Sequence, residues 1–170
     1  GGEADADSDL VAATLDLDAT VGIGDDATIE VTATSIAADS TNNNIDLLNQ
    51  NPGAAVTATS LTTGTGTIDF VQTGNESLTV TLTQTTDGTI TIQNTGDADA
   101  DTLILTSVTA GGTGDVNATT LTAGDVLVGS ITADDSTVAI TSAGAINAAA
   151  ADTINDITVG TGTIDLNAVD

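Results

Sequence analysis

The chain has 170 residues, of which 25 are Asp or Glu and none is Lys, Arg or His, so its formal charge is −25. No side chain can form a salt bridge, clamp a phosphate, or act as an imidazole base or a lysine nucleophile. Nucleic acid and anionic membrane surfaces are disfavoured as partners, because both are held mainly through Lys and Arg.

In chain order, the acidic run DADSD (5–9) is followed by a unit that recurs to the C-terminus: a polar residue, an apolar one, any residue, then another apolar one. It stands as TLDL (14–17), TIEV (28–31), NIDL (44–47), TIDF (67–70), TVTL (79–82), TITI (89–92), TLIL (102–105), DVLV (125–128), TVAI (137–140) and TIDL (163–166). Alternation with period two predicts strands with one buried face, and Thr with the branched aliphatics favours that conformation. It predicts that Ile68, Phe70, Ile90, Ile92, Val126, Val128, Ile164 and Leu166 point inward. Asp69, Thr91, Leu127 and Asp165 are then expected to point outward. Between the units lie GIGDD (22–26), GTG (64–66), TDG (86–88), AGGTGD (110–115) and TAGD (122–125), whose Gly, Asp and Asn residues supply turns. INAAAAD (146–152) predicts one helical turn or a loop, and no amphipathic helix of useful length is expected.

With 39% hydrophobic residues, the chain is not of disordered composition. Phe70 is the only aromatic residue, so small and branched aliphatics have to form the core, which suits thin repeated layers. Longer similarities match in several registers: LTTGTGTID (61–69) with ITVGTGTID (157–165), TLDLDA (14–19) with TIDLNA (163–168), and IAADST (36–41) with ITADDST (131–137). A stack of similar layers produces such multiple matching. The expectation is an all-β chain, one β-solenoid over residues 1–170 without an internal linker, with about eight coils of about 20 residues each. The alternative is a pair of tandem Ig-like β-sandwich domains clamped by Ca²⁺. The 96-residue offset between two of the matches fits that domain length, but the absence of Trp and Tyr argues against it.

The segments SLTTGTGTIDFVQTG (60–74), LTVTLTQTTDGTITIQNTG (78–96) and SVTAGGTGDVNATTLTAGDVLVGSITADDSTVAITSAGAIN (107–147) resemble the repeats of giant filamentous-haemagglutinin-like bacterial surface adhesins. The resemblance spans residues 10 to 166 and implies a right-handed parallel β-helix within a long secreted protein. It carries over no catalytic or binding residue, and the total absence of Lys and Arg departs from the family.

Two acidic runs are the candidate metal sites. Asp97, Asp99 and Asp101, like Asp5, Asp7 and Asp9, repeat the first three ligands of a calcium loop. Counted from Asp97, the glycine position of that loop falls on Thr102 and its last ligand on Val108. In an extended run, same-face Asp residues lie about 7 Å apart, too far for three to share one ion. The favoured reading is a solvated acidic turn with loosely condensed cations and no required cofactor. GGTGDVNA (111–118) has the glycines of an RTX calcium repeat, but its Asp falls one place early and the motif occurs once. Asp25 with Asp26, and Asp134 with Asp135, are the candidate acid pairs for glycoside hydrolysis, but neighbours on a strand point to opposite faces. Thr63, Thr65, Thr67 and Thr79, Thr81, Thr83 read as outward threonines on a wet strand face.

The function expected is that of a structural and adhesive rod, secreted to the cell surface and contributing to an extracellular fibre. No enzymatic role is expected. With no Met, the chain is expected to be a mature piece or a segment of something longer, and Gly1-Gly2-Glu3-Ala4-Asp5 has neither region of a signal peptide. No apolar run reaches membrane-spanning length. Further repeats of the same protein, or identical subunits, are the expected partners, with host or matrix polysaccharide as a ligand.

Overall fold

The computed structural model describes residues 7–50, 53–74, 76–95, 100–151 and 153–169. Among them there is no helix. Sixteen strands follow one another: β1 Leu10–Val11, β2 Thr14–Ile23, β3 Ile29–Thr32, β4 Ser35–Asn49, β5 Val56–Thr63, β6 Ile68–Gln72, β7 Leu78–Val80 and β8 Thr83–Thr85. Then come β9 Ile90–Asn94, β10 Leu103–Ala110, β11 Val116–Thr120, β12 Val126–Ala133, β13 Val138–Ser142, β14 Ile146–Ala148, β15 Ile157–Val159 and β16 Ile164–Ala168.

Every pairing between these strands is parallel, and each joins a strand to its counterpart one turn further on. This is a parallel β-helix, and it excludes the antiparallel sheets of the Ig-like alternative. The column Ile23, Ile45, Ile68, Ile90, Val116, Val138, Ile164 passes once through each coil. The described residues therefore make seven coils where about eight were expected. The steps along this column are 22, 23, 22, 26, 22 and 26 residues, longer than the expected 20 because the turns take up extra chain.

A coil has three strand ranks, most plainly separated in the fourth, where β7, β8 and β9 follow in turn. In β5, β10 and β12 the first two ranks merge into one strand whose alternation slips halfway. Thr59 with Ser60, and Thr106 with Ser107, both face outward. Two outward residues in succession bend the chain around a corner without breaking the ladder. The core is the resulting interior. Ile68, Phe70, Ile90 and Val126 are sealed, Ile92 and Val128 nearly so, while Asp69 is exposed and Thr91 and Leu127 lie half-buried outside. Burying an Ile or Leu in this way contributes about 1.5–3 kcal/mol.

Ile164 and Leu166 differ from expectation. They stand in the inward columns above Val138 and Ile140, yet they are 46% and 50% exposed. They belong to the seventh coil, and no coil of the described residues lies beyond it.

Candidate functional site

The inter-coil turns hold most of the chemistry. Between the second and third ranks, Gly66, Gly88 and Gly114 stack. A Cβ on Gly88 would stand 2.1 Å from the Gly66 carbonyl oxygen, and one on Gly114 2.0 Å from that of Gly88. Only glycine permits this approach. Thr85, sealed beneath the turn, donates from Oγ1 to the carbonyls of Gly64 (2.8 Å) and Gly66 (3.0 Å).

The carboxylates beside these turns are engaged by neutral donors from a neighbouring coil. Asp87 Oδ1 accepts from the Thr113 backbone N–H (3.0 Å) and hydroxyl (3.2 Å). Asp115 Oδ1 accepts from Thr137 N–H (2.8 Å), and Asp125 Oδ1 from Ala145 N–H (2.7 Å). Asp46 Oδ2 accepts from the Thr28 hydroxyl (2.8 Å), and Asp39 from the hydroxyls of Ser60 and Thr62. Such bonds to an ionised acceptor are stronger than neutral ones. The acids thus tie successive coils together without any basic partner.

Inside the helix runs a polar ladder that the sequence reading missed. Asn49, Gln72, Asn94, Thr120 and Ser142 occupy one column, all at most 2% exposed. Each is the last inward position of a third-rank strand: Asn49 and Asn94 bond the turn one coil earlier, Thr120 and Ser142 bond the turn that follows them, and Gln72 accepts from Asn49. Asn49 Nδ2 donates to Ala33 O (3.0 Å) and to Gln72 Oε1 (2.7 Å), while Ala33 N–H donates to Asn49 Oδ1 (3.0 Å). Asn94 Nδ2 donates to Glu76 O (3.1 Å), and Ala143 N–H donates to Thr120 Oγ1 (2.9 Å). The signal was legible as an amide or hydroxyl residue two places beyond each apolar pair: NIDLLN, IDFVQ, ITIQN, VNATT, VAITS.

The sequence-derived candidates do not converge. Asp97, Asp99 and Asp5 lie outside the described residues, whereas Asp101 is buried beside the start of β10 and Asp7 and Asp9 are exposed near the N-terminus. Among the described residues, no three acids are grouped so as to hold a metal ion. Asp25, Asp26, Asp134 and Asp135 stand in turns, not on strands as the pairing argument assumed. Asp25 accepts long bonds from Asn43 and Asn44, and Asp135 accepts from the Thr161 hydroxyl (3.1 Å). The threonine runs are likewise not uniform outward arrays. Thr63 and Thr83 point into the core, because the first run enters a turn and the second crosses a corner.

Two like-charge contacts stand on the outer face, where Asp18 with Asp39, and Asp46 with Asp69, are direct partners on adjacent coils. Partial burial, and then repulsion from Asp46, raise the Asp69 carboxyl above the ordinary aspartate range. The two acid-lined surface hollows, one bounded by Asp18 and Asp39 and the other by Asp9, Asp25 and Asp26, are shallow and open to solvent. No protein-family model, curated protein or solved structure matches the chain.

Proposed function

We propose that the chain is a load-bearing rod segment of a secreted, adhesin-like surface protein, contributing to an extracellular fibre. The observation that supports this reading is the unbroken ladder. The column Leu17, Ala38, Leu61, Thr83, Val108, Ile131, Ile157 and its neighbours run through all seven coils. Tension applied along the axis is met by many equivalent backbone rungs, and stability accrues coil by coil. The acids act here as coil-to-coil acceptors and as a solvated coat, not as catalysts. The uncompensated charge favours a saline or divalent-rich medium, where screening is short-ranged and cations condense loosely on the coat. Its partners in this reading are further repeats or identical subunits, with a surface or matrix polysaccharide as the ligand of the whole fibre.

Single-molecule pulling through the two termini tests the reading. A rod that yields coil by coil releases successive lengths of about 75–90 Å, the extended length of 22 to 26 residues. A chain that extends smoothly, without resisting steps, would be no load-bearing element.

A further inference from the structure

Two adjacent rungs of the polar ladder leave complementary atoms over. Asn49 fixes the start. Its amide bonds both backbone groups of Ala33, and its nitrogen also donates to Gln72 Oε1 (2.7 Å). An amide is planar, so with Oε1 committed to Asn49, Gln72 turns its nitrogen away from that acceptor. Asn94 stands on the next rung and is held from the preceding turn, where its Nδ2 donates to the Glu76 carbonyl (3.1 Å). Gln72 Nε2, a donor, and Asn94 Oδ1, an acceptor, then remain. Both residues are sealed from solvent, and neither atom has a hydrogen-bond partner. The rung beyond Asn94 offers no proton, because that of Thr120 goes to Gly124 O (3.0 Å).

The side-chain lengths account for the gap. Gln is one methylene longer than Asn, so neighbours on this column do not bring their amides level. The step from Asn49 to Gln72 closes, and the step from Gln72 to Asn94 leaves both atoms unpartnered.

We infer that Gln72 and Asn94 form an internal binding site for one water molecule between the third and fourth coils. The water accepts from Gln72 Nε2 and donates to Asn94 Oδ1. Its second proton goes to the Glu76 carbonyl, which already lies against the same Asn94 amide. A buried water typically holds about three such partners. No ion suits the place, since one group donates, the other accepts and neither is charged. The water supplies the coil-to-coil rung that the two amides do not make directly, whatever the rod as a whole does.

Burial alone does not create such a site. Thr83 Oγ1 is likewise sealed and without a partner, but its rungs are Leu61 and Val108. A water there would find one polar atom on its column, too few to hold it.

NMR of the whole chain in water tests the inference without any substitution. The Gln72 side-chain amide should show a rotating-frame cross-peak to water, with the sign that marks proximity rather than proton exchange. The Asn49 amide, which donates to both Ala33 O and Gln72 Oε1, should show none. Absence of the peak at Gln72, or a hydrogen-bond coupling running directly from its side-chain nitrogen to the Asn94 side-chain carbonyl carbon, overturns the inference. Oxygen-17 relaxation dispersion gives a second reading, because it counts long-lived internal waters. Gln72→Leu/Asn94→Leu removes donor and acceptor together and should hold one water fewer than the parent chain. Equal counts in a folded double variant would overturn the site as well.

Discussion

At the scale of single residues, the chain solves a problem set by its composition. Acids with no basic partner have to be placed where neutral donors meet them or where water does. Asp87, Asp115 and Asp125 each receive a backbone N–H from a neighbouring coil, which no charge count reveals. Asp69 differs from these, because the rung beside it carries Asp46. Its carboxyl holds a proton more tightly in the folded chain than in the unfolded one, so its charge costs stability at neutral pH. That cost disappears as pH falls through its raised pKa and below the ordinary aspartate value. Asp69→Asn should therefore raise the melting temperature at pH 7 by about 1 °C, from a few tenths of a kcal/mol for a like-charge cross-strand pair. The gain should vanish near pH 3. Thermal melts of both proteins at the two pH values check this; an equal gain at both would assign the effect to something other than charge.

At the scale of elements, nine of the ten polar-apolar-x-apolar units place their apolar pair on one strand, because a buried aliphatic pair flanking an outward residue has one stable conformation; the tenth, TVTL (79–82), straddles the corner between β7 and β8, so Val80 is buried while Leu82 lies between the strands. The strands that escaped notice are those whose inward positions are small or polar. β8 offers Thr83 and Thr85 to the core, and β11 offers Ala118 and Thr120 beside Val116. The coil number was misjudged for a related reason: turn length varies, and short-range alternation carries no information on how much chain a turn consumes. The acidic runs were legible as residues, but their coil-to-coil partners were not, since these lie about 20 to 26 positions away. The glycine stack is the most exacting turn feature. Gly88→Ala would drive Cβ to 2.1 Å from the Gly66 carbonyl, a backbone atom with nowhere to go. It should cost about 1–3 kcal/mol, as other overpacked sites do, whereas Thr65→Ala, on an exposed position of the turn one coil away, should cost little. Denaturant melts measure the difference, and comparable losses would mean the stack is not tight.

At the scale of the whole molecule, six inter-coil steps of about 4.8 Å give a span of about 29 Å between the first and last coils. Each layer touches only its neighbours, so the rod has no single central core to lose. The account depends above all on residues about 22 apart in sequence standing one rung apart in space, along the full length. Electron–electron spin-label distances test this directly. Asp46→Cys/Asp165→Cys spans five rungs of one outer column, and Asp69→Cys/Asp165→Cys spans four. The account predicts two narrow distributions, centred near about 24 Å and about 19 Å before the label arms are added, and separated by about one strand spacing. Broad distributions, or two distances that do not scale with the number of rungs, would contradict it.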